Sequence, residues 1–287
     1  MLFRIFTLHP DIFSSFLDNA LVARGRAQEI IEVELMNWRE MFGVGGYKQV
    51  DDKPFGGGHG MVLQPEPIYQ ALKSVGGVSS FFSELENPVV HSRVAPNNTR
   101  FYTKSNQIAN FSTATISLTP RGHTINQQTF EWLAKFQELN ILCGRYEGFD
   151  SRVSEMVDLE LSLGDFVLNG GEVAAMCLVE GVSRIIPGFV TKTDTVLHDS
   201  FSSNLNQYKE QEEFVIGKNN IQNRVLGNKE INVKNIFDDE LWAQNALPKI
   251  EHPQYTRPSN WRGYQVPELL LEGNHKKIQD WRLNWWK

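Results

Sequence analysis

The residues best suited to chemistry lie between Leu142 and Gly188, where single charges are set among glycines and short apolar runs. The stretch contains Gly144-Arg145-Tyr146-Glu147-Gly148, then Ser162-Leu163-Gly164-Asp165-Phe166-Val167-Leu168-Asn169-Gly170-Gly171-Glu172, then Ser183-Arg184-Ile185-Ile186-Pro187-Gly188. Two apolar strands are expected here, Asn140 to Cys143 and Phe166 to Leu168, each running into glycine, which lets the main chain pass close to a ligand. A second glycine-rich segment, 42–61, holds Asp51-Asp52-Lys53-Pro54-Phe55-Gly56-Gly57-Gly58-His59-Gly60-Met61. It reads as a surface loop, or as a loop that approaches a ligand with Asp51, Asp52 and Lys53 as polar handles. Phosphate-binding loops share this logic, but no Gly-Lys-Ser/Thr ending follows these glycines.

Single charges in these loops each have two readings. Arg145 and Arg152 suit a phosphate or a nearby carboxylate. Glu147 caps the following helix or faces a ligand. Arg184, near the end of an apolar helix, is by position alone a partner for the helix dipole or a surface salt bridge. Asp199, by position alone, is a helix cap or a solvated linker residue.

The elements that must position these residues follow from periodicity. Leu2 to Leu8 is expected as a first strand, followed by helical patches at Ile12 to Leu17 and Leu21 to Ala27, and by an alternating strand from Ile30 to Trp38. Glu66 to Val75 reads as a helix. Ala114 to Leu118 reads as a β-branched strand that Pro120 closes and Gly122 turns. Phe130, Leu133, Phe136 and Leu139 share one helical face, and a strand over Ile141 to Cys143 then completes a parallel α/β unit. Asp150 is placed to cap a helix through Val153 and Met156. Glu172 to Ile186 is an apolar helix that Pro187 and Gly188 terminate. The segment 76–111 reads as an insertion, 191–203 as a flexible linker, and 204–250 as a partly helical insertion.

Bulk composition is that of an ordinary folded protein: 287 residues, 41% hydrophobic and 22% charged. No apolar run of about 18 residues and no leader-like start is present, so the expectation is a cytoplasmic protein without a membrane partner. The two cysteines, Cys143 and Cys177, lie in apolar segments and are expected as buried thiols. A net charge of −6 argues against a uniformly basic coat, yet from Lys249 to Lys287 seven Lys or Arg face four Asp or Glu. The basic end is the place to look for phosphate contacts.

Taken together, the motifs Asp51 to Met61, Leu118 to Gly122, Leu142 to Val153, Ser162 to Met176, Ser183 to Gly188, Asp199-Ser200-Phe201, Tyr255 to Pro258, Gly273-Asn274-His275 and Trp281-Arg282 resemble the bacterial tRNA (guanine-N1-)-methyltransferases of the TrmD type. That family is a branch of the SPOUT superfamily of knotted methyltransferases, and the motifs stand here in the family's order along nearly the whole chain. The resemblance implies an α/β domain over 1–190 with a parallel sheet and a deep trefoil knot. It also implies a small, mainly helical tRNA-binding domain over 204–287 with a shortened tail, and a homodimer whose sites each draw on both subunits.

Residue by residue, the resemblance implies a site for S-adenosylmethionine formed by Leu118, Thr119, Pro120 and Gly122, by Gly144 and Glu147, and by Ser162, Leu163, Gly164, Phe166, Leu168, Gly170 and Gly171. It implies Asp199 as the general base that removes the guanine N1 proton, and Arg184 as the cation that stabilises charge on O6. Asp52, Gly57, Gly58, Tyr255, Arg257 and His275 are implied as substrate-binding, with Tyr255 and Trp261 as stacking partners for RNA bases. Magnesium is implied as a possible cofactor, with no ligand spacing to locate it. The implied reaction is methyl transfer to N1 of the guanosine immediately 3′ of the anticodon, position 37. A related enzyme with another RNA target and a catalytically weak RNA-binding relative are the alternatives.

Overall fold

In the computed structural model, which describes residues 1–78, 112–191 and 252–284, Leu35, Ile5, Ile141, Ile116 and Leu159 form one row across five parallel strands. The strands are β1 (Leu2–Thr7), β2 (Glu32–Asn37), β5 (Thr113–Thr124), β6 (Glu138–Cys143) and β7 (Leu159–Ser162), in the spatial order β2-β1-β6-β5-β7. Two short antiparallel pairs accompany them: β3 (Asp51–Asp52) with β4 (Val62–Leu63), and β8 (Asn260–Trp261) with β9 (Tyr264–Gln265). The helices are α1 (Ser14–Leu17), α2 (Ala20–Ala27), α3 (Trp38–Phe42), α4 (Pro65–Ser74), α5 (Gln127–Leu133), α6 (Glu172–Ile185), α7 (Glu268–Leu271) and α8 (His275–Asn284).

A parallel sheet needs cover on both faces. On one face Phe3, Ile5, Ile116, Leu139 and Ile141 pack against Val22 of α2, Trp132 and Leu133 of α5, and Leu178, Val179 and Val182 of α6. On the other, Phe6 and Leu142 pack against Trp38 of α3, Ile68 and Leu72 of α4, and Val153 and Met156. A third, smaller cluster of Tyr255, Val266, Leu270 and Ile278 packs on Phe55. Because all five strands run the same way, the connections leaving β5, β6 and β7 emerge at one carboxyl edge, the usual ligand edge of open α/β sheets.

Several expectations are corrected. The strand at Ala114 does not close at Pro120; β5 continues to Thr124. Its pairing with β7 jumps from Leu118↔Leu161 to His123↔Leu161, so residues 119–122 are looped out and no ladder bond to β7 is asked of the proline nitrogen. Phe166 to Leu168 is not a strand. The residues lie in an irregular, exposed loop, and the strand of this region is β7. The helix expected through Leu139 ends at Leu133; Phe136 and Leu139 reach the same core from the turn and from β6. Trp38 opens α3, capped by the Asn37 side chain, rather than ending a strand. Asp150 does accept a bond from Arg152 N, but the element it caps is a 3-10 helix, Ser151–Glu155. Cys143 is buried, whereas Cys177 is exposed on α6 with Val173. Most of 76–111, all of 192–203 and of 204–250, and 285–287 lie outside the described residues. No helix among the described residues is long and apolar enough to cross a membrane.

Candidate functional site

Three loops meet at the carboxyl edge of β5, β6 and β7. The looped-out residues Thr119, Pro120 and Gly122 follow Leu118, whose side chain is buried and whose carbonyl oxygen lies 3.4 Å from where a Cβ on Gly144 would stand. A Cβ on Gly122 would stand 2.4 Å from the main-chain nitrogen of Leu161, so only glycine lets the loop rejoin β7 here. The second loop, 144–148, touches the third, 162–171, through the main chain. Gly171 N donates to Gly144 O at 2.9 Å, and Arg145 forms a bridge with Gly170. A Cβ on Gly171 would stand 2.8 Å from Cys143 Cα, so this contact too depends on a missing side chain.

Behind the junction lies a buried acid. Glu172, the first residue of α6, accepts from Thr7 Oγ1 at 2.8 Å and from Arg145 Nε at 3.1 Å, and pairs with Arg145 Nη2 at 2.9 Å. Arg145 also donates to Asn169 O at 3.4 Å. Burial pushes the Cys143 thiol well above its ordinary pKa, with the Glu172 charge adding to the effect, so this sulfur stays protonated. Ser162, also buried, exchanges hydrogen bonds with the main chain of Gly164, which sits against the Phe166 ring. Leu163 is half-buried against the core, while Phe166, Val167 and Leu168 are exposed apolar side chains.

The glycine-rich segment lies beside the second loop. Glu147 N donates to Met61 O, Leu63 N to Gly148 O and Asp150 N to Leu63 O, each at 3.0 Å. The Glu147 side chain lies over Gly60, where a Cβ would collide with it at 2.4 Å. Glu147 therefore reaches across to the glycine segment instead of capping the helix after it. It helps line a cleft of about 330 Å³ with Gly57, Gly58 and His59 on one side and His252, Gln254, Trp281 and Arg282 on the other. Arg282 of α8 donates to the carbonyls of Gly56 and Gly57, both glycines of positive φ.

The segment 252–258 is fastened to this loop system by Arg152 and Asp150. Arg152 donates to both oxygens of Asp150 at 2.8 and 2.9 Å, and to the carbonyls of Thr256 and Pro258 at 2.7 Å. Asp150 in turn accepts from Thr256 N at 2.6 Å. Phe55 N donates to Tyr255 O at 2.7 Å, and Arg257 pairs with Asp52 at 2.7 Å on the surface. Both open readings of Arg145 and Arg152 thus resolve to local carboxylates.

The sequence-predicted residues do not all gather at one point. The loop residues from Leu118 to Gly171 come together, and Asp52, Gly57, Gly58 and Arg257 lie along the adjoining glycine segment. Tyr255 and Trp261 are 8% and 3% exposed, so neither ring is presented for stacking; Trp261 instead donates its indole N–H to Glu66 at 2.6 Å. His275 opens α8 on the surface. Arg184 lies in the last turn of α6, about 18 Å along the helix axis from Glu172 and the loops. Asp199 lies outside the described residues. Glu172 was given no role from sequence, and Arg282 was named only within the motif Trp281-Arg282; an acid directly after Gly170-Gly171 at the head of an apolar helix was the available signal for the first. Among the described residues no group of three or more His, Cys, Asp or Glu side chains is placed to hold a metal ion.

Comparison with known proteins gives this geometry its setting. The family model described as tRNA (Guanine-1)-methyltransferase TrmD matches residues 1–88, 96–218 and 220–286. A tRNA (guanine-N(1)-)-methyltransferase of Nostoc sp. is 34% identical over 98% of this chain and 82% of its own length. One from Clostridioides difficile is 32% identical over 98% of this chain and 90% of its own. A crystal structure of tRNA (m1G37) methyltransferase from Aquifex aeolicus is 30% identical, covering 99% of this chain and 88% of its own, with a TM-score of 0.49. The chain belongs to the tRNA (guanine-1)-methyltransferase TrmD family.

Proposed function

We propose that this protein transfers a methyl group from S-adenosylmethionine to N1 of the guanosine immediately 3′ of the anticodon, position 37, in tRNA. Family membership makes it a tRNA (guanine-N1-)-methyltransferase. The donor site, the base, the target position and the assembly are the finer reading. The observation that carries it is the junction of the loops 119–122, 144–148 and 162–171, which glycines allow to pack main chain against main chain at the carboxyl edge of the sheet. Those residues fit the donor: main-chain groups for its polar edges and exposed Phe166 and Leu168 for an apolar ring. When bound, S-adenosylmethionine supplies an electrophilic methyl group.

The remaining chemistry is the chain's own. Guanine N1 carries a proton and its lone pair is delocalised, so a base must take that proton before N1 can act as a nucleophile. Asp199 is proposed for this role. Removal of the proton moves charge onto O6, and the guanidinium of Arg184, fixed in the last turn of α6, is proposed to stabilise it. A homodimer is proposed in which the knot of one subunit and the C-terminal domain of the other build each site. The parallel order β2-β1-β6-β5-β7 and the looped-out 119–122 support the proposed trefoil knot. Asp52, Gly57, Gly58, Arg257 and His275 are proposed tRNA contacts, with Arg257 the cation among them for a phosphate. Magnesium is given no site.

Asp199→Ala separates these roles. Turnover is expected to be abolished while calorimetric binding of S-adenosylhomocysteine persists. Near-normal turnover would assign the proton to another residue.

A further inference from the structure

We propose that Glu172 is a positioning residue that sets donor affinity through Arg145, by holding the loops 144–148 and 162–171 in one arrangement. The proposal rests on the reading of those loops as the donor site. An acid in the first turn of a helix usually stays in water, where the dipole interaction alone is small. Glu172 is 2% exposed. Burying a carboxylate is costly unless it is paired and hydrogen-bonded; here residues from distant parts of the chain hydrogen-bond Oε1, and Oε2 is ion-paired to Arg145 without a hydrogen bond. Thr7 of β1 donates at 2.8 Å, and Arg145 of the second loop pairs at 2.9 Å.

The geometry explains how a buried pair acts on exposed loops. Arg145 belongs to the second loop, and its guanidinium donates to Asn169 O of the third. Its main chain bridges Gly170, where a Cβ would stand 2.4 Å from Arg145 Nε and 2.5 Å from Glu172 Oε2. The ion pair thus fills the space that a side chain at position 170 would take. An apolar pair of similar volume would pack the fold as well, because buried ion pairs give little net stability. What the charged pair adds is orientation: the guanidinium has one seat, and both loops are bonded to it.

The test is a calorimetric titration of S-adenosylhomocysteine into wild type, Glu172→Gln, Arg145→Gln and the double variant, with circular dichroism to establish that each is folded. Loss of a charge-assisted hydrogen bond predicts binding weaker by about tenfold or more in each single variant. Because the two residues act as one unit, the double variant is expected to be no weaker than the weaker single one. Glu172→Asp, which keeps the charge, is expected to recover part of the loss. Binding by Glu172→Gln within about twofold of wild type, or additive losses in the double variant, overturns the proposal. Should Glu172→Gln not fold, Arg145→Lys serves instead: it keeps a cation beside Glu172 but loses the fork, and unchanged affinity there overturns the proposal equally. Failure of wild type to bind, or ligand-induced amide protection lying away from both loops, removes the donor reading itself and is distinct from either result.

Discussion

Arg152 holds both carboxylate oxygens of Asp150, at 2.8 and 2.9 Å, and both side chains are almost wholly buried. Two further guanidinium N–H groups donate to Thr256 O and Pro258 O, more than a hundred residues along the chain. One ion pair therefore fastens the segment 252–258 to the loop that follows β6. Removing one partner of such a pair leaves the other as an uncompensated buried charge. Arg152→Met is expected to lower stability by about 3–5 kcal/mol in urea denaturation. It should also release Thr256 N to fast amide exchange, and protection at Thr256 equal to wild type would contradict the clamp.

Gly122 has no room for a methyl group: its Cβ would stand 2.4 Å from Leu161 N and 2.5 Å from Glu160 C. Those atoms are main chain, so relief requires β7 to shift against β5. Gly122→Ala is expected to cost about 1–3 kcal/mol by overpacking and to lower donor affinity, both read on one purified variant. Wild-type stability and affinity would show that the looped-out segment relaxes freely.

Glu66 joins the hairpin β8–β9 to α4. Burial pushes its carboxyl upward, but bonds from Gln70, Trp261 and Arg262 outweigh this and hold its pKa below the usual glutamate value. The Arg262 guanidinium also sits 3.8 Å from the centre of the Tyr69 ring. A lowered folded-state pKa means that the unfolded chain binds the proton more readily. The contribution is thus present above the unfolded pKa and is lost as pH falls through the folded one. Between about pH 6 and about pH 3, wild type is expected to lose more stability than Glu66→Gln. Parallel curves for the two proteins would refute the linkage.

β1, β2, β5 and β6 were legible from short apolar, alternating or β-branched patterns, whereas β7 at Leu159–Ser162 was not. Local pattern failed where partners decide the outcome. Phe166 to Leu168 is as apolar as a strand, yet the strand beside β5 is Leu159–Ser162 and the triplet is left exposed. Pro120 signalled an end to β5, but the loop it sits in asks β7 for no bond at that position. Tyr255 and Trp261 carry polar tips that suit a surface, and only the packing of 252–284 on Phe55 and α4 buries them. Arg145 and Arg152 could not be assigned because their carboxylates, Glu172 and Asp150, are recognisable as buried only once the helix and loops are in place. The glycines of the three loops were legible as a group, since close approach leaves its mark in the sequence itself.

The central claim is tested most directly by methyl transfer from labelled S-adenosylmethionine to tRNA transcripts that differ only in having or lacking guanosine immediately 3′ of the anticodon. Labelling is expected on the transcript with that guanosine, at N1, and not on the other. Equal labelling of both transcripts, or of neither, would contradict the account.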